Sequence, residues 1–80
     1  MSRLGQLKSK DIVRALKALG FELIRQHGSH AFYKHPASKR TTIVPMHSGE
    51  DIGRGLLRSI MKQIDVTPIE FMDALKQKRK

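Results

Sequence analysis

The sequence predicts an α+β fold of order α-β-β-β-α-α, packed as a two-layer sandwich, and three observations carry that prediction. Ile12, Leu16 and Leu19, with Val13 beside them, form an apolar stripe at helical spacing that runs up to Gly20. Two short stretches then flank Gly28-Ser29, and a third, rich in β-branched residues, runs into Pro45. Finally, Leu57, Ile60, Met61 and Ile64 make a second helical stripe, followed by Thr67-Pro68-Ile69-Glu70, a combination that starts helices.

Taken in order, Ser9 is placed to cap a first helix from Lys10, with Asp11 in the first turn, where negative charge suits the helix dipole. Gly20 supplies the left-handed residue that ends many helices. Residues 21–26 and 30–35 read as strands joined by a type II′ turn, with Gly28 at its first central position. That register sets His27 opposite His30, Arg25 opposite Phe32 and Leu23 opposite Lys34. Pro36-Ala37-Ser38-Lys39 is a second turn, and residues 41–44 are a third strand closed by Pro45, which cannot donate to a ladder. A loop over 46–53, in which Glu50 and Asp51 cap or solvate, leads to a helix over 54–64. In the last helix Thr67 is the N-cap, Pro68 is N1 and Glu70 is N3, with Val66 and Phe71 spaced as a hydrophobic staple. Three antiparallel strands need one apolar face covered, and the two longer helices can do that together. The arrangement is like the double-stranded-RNA-binding fold, which by itself fixes no function.

Eighty residues suffice for a single domain over 1–80, with an ordered core at about 7–75 and a basic tail at 76–80. There is no cysteine, which excludes disulfides and thiolate metal sites, so the 39% hydrophobic content must build the core unaided. No stretch approaches the roughly 20 apolar residues of a membrane span, and Met1-Ser2-Arg3-Leu4-Gly5 lacks the apolar run of a signal peptide. The expected location is the cytoplasm. Sixteen Lys and Arg against seven Asp and Glu give a formal net charge of +9, which points to a nucleic-acid or acidic-protein partner. Low aromatic content (Phe21, Phe32, Tyr33, Phe71) argues against a platform that stacks successive bases.

Gly28-Ser29-His30 sets an imidazole, the side chain that titrates near neutrality, at a hairpin tip in this cationic chain. The tripeptide also suits an ordinary tight turn followed by a solvated histidine. No Asp, Glu or Cys is locally placed to complete a ligand set with His27 and His30, and the surrounding charge disfavours a cation, so neither a metal nor another cofactor is expected. RNA cleavage through the 2′-hydroxyl needs one group to take its proton, another to protonate the leaving 5′-oxygen, and cations around the phosphorane. His30 can fill either proton-transfer role. His27 and His47 are candidate partners, and Ser29 is better suited to a local hydrogen bond that orients His30 than to nucleophilic attack. Gly28, Arg25, Lys34, Arg54 and Arg58 are the candidate RNA contacts. His35, beside Pro36, reads as solvated. Two other readings stay open, a non-catalytic RNA-binding adaptor on the same basic face and a basic protein whose partner is an acidic protein.

Lys8-Ser9-Lys10-Asp11, Gly20-Phe21, Arg25-Gln26-His27-Gly28-Ser29-His30 and Phe32-Tyr33 together resemble the HicA toxin family. Val44-Pro45-Met46-His47-Ser48-Gly49 and residues 56–63 extend the likeness, which runs over about 7–75. The resemblance implies a small mRNA interferase of double-stranded-RNA-binding-like fold that acts on RNA rather than DNA and is silenced by a HicB antitoxin. It also implies that the histidine after Gly28-Ser29, His30, is catalytic, and it draws attention to Pro45, His47 and Gly49. Gly53 and Gly55 depart from the family's more usual Pro and polar residues before the second long helix.

Overall fold

Helix α1 (Ser9–Ala18) is followed by strands β1 (Glu22–His27), β2 (His30–Lys34) and β3 (Thr41–Pro45), then by helices α2 (Arg54–Ile64) and α3 (Pro68–Lys76), the predicted α+β order. These elements come from a computed structural model that describes residues 7–46 and 51–77. The strands form one antiparallel sheet of order β1-β2-β3.

The stripe on α1 buries Ile12, Ala15 and Leu16, while Val13 and Leu19 pack at its margin. Ser9 does not cap this helix. The N-cap is Lys8, whose backbone N–H donates to the Asp11 carboxylate at 2.9 Å. Ser9 instead opens the helix and donates its hydroxyl to the Pro45 carbonyl at 2.5 Å, tying α1 to the end of β3. At the other end Gly20 takes φ +96°, and the Gly20 and Phe21 N–H groups return to the Lys17 and Leu16 carbonyls at 3.1 and 2.9 Å. Because Phe21 completes that cap and buries its ring, β1 starts one residue later than expected.

His27 faces His30 and Arg25 faces Phe32, as the sequence predicts, but a bulge at Ile24 changes the rest of the register. Leu23 lies opposite Tyr33, and Lys34 lies opposite Glu22. Strict alternation would have left Leu23 on the polar face beside Arg25. The extra residue rotates it to the face of Tyr33. The helices do not reach that far, and Leu23 and Ile24 remain 49% and 54% exposed.

On β2 and β3 the alternation is regular: Ala31, Tyr33, Thr42 and Val44 are buried, and the residues between them are not. Burial pushes the Tyr33 phenol pKa up. Helices α1 and α2 both lie on β3, and α3 packs against α1. The helix layer therefore has three members rather than two, and α3 contributes Phe71 and Ala74 to the core beside Leu57, Ile60, Met61 and Ile64 of α2. Thr67 caps α3 as predicted: its hydroxyl accepts from the Glu70 N–H at 3.1 Å, and the Glu70 carboxylate accepts from the Thr67 N–H at 2.7 Å. Asp51 does not cap α2, whose N-cap is Gly53. Its carboxylate accepts from Lys8 Nζ at 2.5 Å, next to a backbone bond from Ile52 N–H to the Leu7 carbonyl. Glu50 lies outside the described residues.

His35 is not a solvated histidine. Its Nδ1 accepts from the Ala37 and Ser38 N–H groups at 3.1 and 3.2 Å, organising the β2–β3 turn. Its ring meets Phe21 edge-on, with centroids 5.2 Å apart. It also lies so close to Gly20 that a Cβ there would fall 2.9 Å from its Nε2.

Candidate active site

The β1–β2 turn is built so that a histidine can stand on its rim without being needed for packing. Gly28 adopts φ +61°, the left-handed value that a type II′ turn asks of its first central residue, and Ser29 has no such strain. Two further hydrogen bonds fix the turn. Gln26 Nε2 donates to the Gly28 carbonyl at 3.2 Å, and the Met46 N–H donates to the Ser29 carbonyl at 2.6 Å. Ser29 thus anchors the hairpin tip to the end of β3 through its backbone; its hydroxyl makes no hydrogen bond among the described residues.

His27 and His30 close the turn as a cross-strand pair, which puts their Cβ atoms about 5 Å apart on one face. Both are exposed. The face they share is the one the helices leave bare. The register sorts it into three rows: His27, His30 and Pro45; Arg25, Phe32 and Ile43; Glu22, Lys34 and Thr41. Four of the candidate residues, Arg25, His27, His30 and Lys34, therefore meet on one surface with Gly28 and Ser29 at its edge. Arg25 and Lys34 have no carboxylate within ion-pair distance among the described residues.

The structure does not bring every candidate to this surface. Arg54 is the first residue of α2. Arg58 lies further along that helix and lines an open groove with Ser59, Lys62, Val66 and Pro68. No described contact joins either arginine to the hairpin. His47 lies outside the described residues, one position after Met46. Among the described residues there is no group of three or more His, Cys, Asp or Glu that could hold a metal ion, and no helix long and apolar enough to cross a membrane.

Phe32 was not singled out from the sequence as a site residue, yet it occupies the centre of the histidine face, with the Arg25 guanidinium carbon 4.9 Å from its ring centroid. The alternation of β2 contained the signal: with Ala31 and Tyr33 inside, Phe32 has to share the face of His30.

Residues 9–66, the stretch from the start of α1 through the whole hairpin to the end of α2, match the family described as the HicA toxin of bacterial toxin-antitoxin systems. The chain belongs to the HicA toxin family. It is also 36% identical over 58 residues to a probable mRNA interferase HicA of Pseudomonas fluorescens (strain Pf0-1), an alignment covering 72% of this chain and 93% of that relative. The part of this HicA chain that matches the family includes the complete sheet and two of the helices above it. Helix α3, which supplies Phe71 and Ala74 to the core, lies beyond the matched residues.

Proposed function

We propose that this chain is the toxin of a type II toxin-antitoxin system and cuts mRNA as a metal-independent endoribonuclease, with His30 as an essential acid/base. The observation that carries this reading is the exposed His27–His30 pair on a bare face with Arg25 and Lys34, in a chain of the HicA family. The relative's name, probable mRNA interferase, supplies the substrate class.

RNA brings its own nucleophile. One imidazole takes the proton from the 2′-hydroxyl, and the 2′-oxygen attacks the adjacent phosphorus. As the new P–O2′ bond forms, the P–O5′ bond breaks, and a protonated imidazole delivers a proton to the departing 5′-oxygen. The products are a 2′,3′-cyclic phosphate and a 5′-hydroxyl. Extra negative charge on the phosphorane is met by the cations of this face, Arg25 and Lys34. His30 takes one proton-transfer role, and its cross-strand neighbour His27 is placed for the other, with His47 as the alternative.

The fitting test is cleavage of naked single-stranded RNA by His30→Ala. General acid–base catalysis contributes about 10²–10⁴-fold, so the rate should fall at least ~100-fold while the circular dichroism spectrum is unchanged. Wild-type cleavage should continue in chelator and leave DNA intact. A folded His30→Ala that cleaves at nearly the wild-type rate would end the reading. A variant series that binds RNA but never cuts it would favour an adaptor, and 5′-phosphate ends would indicate an activated water.

Membership of the HicA family supports silencing by a HicB-type antitoxin, and the same surface suits an acidic partner. A domain of charge +9 meets an acidic partner quickly, and carboxylates compete for the cations that hold phosphate. Inhibition and RNA binding should therefore be mutually exclusive when a purified toxin–antitoxin complex is titrated with RNA.

A further inference from the structure

Of the middle row of the bare sheet face, only Arg25 enters the chemistry above, as a positive charge near the phosphorane, and Phe32 and Ile43 have no part in it. Phe32 sits there half-buried, with Arg25 over its ring on one side of the row and Ile43, 43% exposed, on the other. An apolar ring and an isoleucine left on the surface of so small a domain are not explained by the core, which lies on the opposite face. Nor is Arg25 explained by an ion pair among the described residues. Its guanidinium lies over an aromatic ring, an arrangement that leaves N–H donors free for an anion.

Successive rows on one face of a strand are two residues, about 6.6 Å, apart. Phe32 is therefore one row from His30, a separation that a nucleobase spans from its own backbone phosphate. If the scissile phosphate lies against His30, the base of an adjoining nucleotide comes down over the middle row. Guanidinium planes and aromatic rings both stack on bases, and every base has a face to offer. Low aromatic content excludes a run of stacked bases on this surface, but one ring suffices for one base.

We infer that the Arg25–Phe32 pair is a one-nucleotide stacking site that holds the base beside the scissile phosphate, and that it selects RNA whose bases are unpaired. This rests on the ribonuclease reading of His30. A base in a duplex is stacked and paired with its neighbours and cannot be laid on the sheet. The positive charge of the face favours RNA as its occupant over an apolar protein surface.

The experiment measures binding in a His30→Ala background, so that it does not depend on cleavage. The probes are fluorescein-labelled single-stranded octa-adenylate and octa-uridylate and a labelled RNA duplex of eight base pairs. Octa-adenylate, with the larger stacking face, should bind more tightly than octa-uridylate, and the duplex less tightly than either. Phe32→Leu should weaken octa-adenylate binding about 10-fold and erase the preference over octa-uridylate, whereas Phe32→Tyr should stay within about 2-fold. Neither change should alter the slope of log affinity against log salt, because no phosphate contact is lost. Arg25→Lys keeps the charge but loses the plane, so it should weaken octa-adenylate several-fold at the same salt slope, and it provides the test should Phe32→Leu fold poorly. In the enzyme with His30 restored, Phe32→Leu should raise KM about 10-fold and leave kcat nearly unchanged, the opposite of His30→Ala.

Unchanged octa-adenylate affinity in a folded Phe32→Leu overturns the stacking site, whatever His30→Ala does to cleavage. Equal losses for the single strand and the duplex overturn it as well. Loss of antitoxin binding with RNA affinity unchanged would assign Phe32 to a protein interface instead.

Discussion

Within β2, Ala31 and Tyr33 turn under the helices and are 1% and 3% exposed, while His30, Phe32 and Lys34, on the alternate positions, face away from them beside Arg25, which has no ion pair among the described residues. The core and the candidate site are thus divided between the two faces of a single five-residue strand. The buried face depends on shape: Val44, Leu57, Ile60 and Phe71 form the core, and the buried polar groups among the described residues are the Tyr33 phenol, Thr42 and Ser9. The bare face carries charge and the two exposed histidines to which proton transfer is proposed, and none of the buried core residues lies on it. A small chain without disulfides has little stability to spare, and this division lets it expose a histidine without weakening itself.

The sharpest way to break this comparison is to remove one large group from each face. Phe71→Ala, at a fully buried site, should cost about 3–5 kcal/mol, enough to leave much of so small a domain unfolded in a urea titration. His30→Ala should shift the same titration by less than about 0.5 kcal/mol and yet remove cleavage. If His30→Ala proves comparably destabilising, the two faces are not independent.

A finer comparison uses the two left-handed glycines. At Gly28 a Cβ would meet nothing within 4 Å, so Gly28→Ala carries only backbone strain, about 1–2 kcal/mol. At Gly20 the same change adds a contact of 2.9 Å with the His35 ring, and it should cost more. In a His35→Ala background the cost at Gly20 should fall by the part due to that contact, a coupling that a double-mutant cycle of thermal or urea melts reads directly. Equal costs at the two glycines would show that His35 moves aside freely and does not hold the β2–β3 turn against α1.

The smallest effect belongs to the surface. Asp51→Asn weakens an ion pair whose partners are 40% and 51% exposed, and it should cost no more than about 1 kcal/mol, less in high salt. A loss well beyond that would mean that the bridge between Lys8 and Asp51 positions α1 and not only decorates it.

Much of this molecule was legible because its signals are local. The stripes on α1 and α2, the Thr67–Glu70 cap and the Gly28 turn each depend on residues within a few positions, and each appears where the spacing puts it. The His27–His30 and Arg25–Phe32 pairs followed from the turn alone. What escaped was decided by distant groups. Ser9 has the chemistry of a cap, but a carbonyl 36 residues away, at Pro45, claims its hydroxyl. His35 reads as solvated until folding brings Phe21 and Gly20 against it. The bulge at Ile24 has no Gly or Pro to announce it, and Leu23, which it moves opposite Tyr33, gains no place in the core. On the candidate site, spacing could collect Arg25, His27, His30 and Lys34 on one hairpin. It could not tell that Arg58 belongs to a groove beside α3.

That same bulge has a consequence for the solubility of the free chain. β1 is an outer strand, exposed along its whole length, with Leu23 and Ile24 adjacent and open to water. A straight strand of that kind is a template on which a second chain can add its own, the first step toward aggregates. The extra residue at Ile24 breaks the run of evenly spaced donors and acceptors and increases the local twist, so an incoming strand loses register after two or three residues. Arg25 follows at once, putting a positive charge where a second identical edge would bring another. A basic chain with an exposed outer strand carries, in one irregular residue, a guard against sticking to itself.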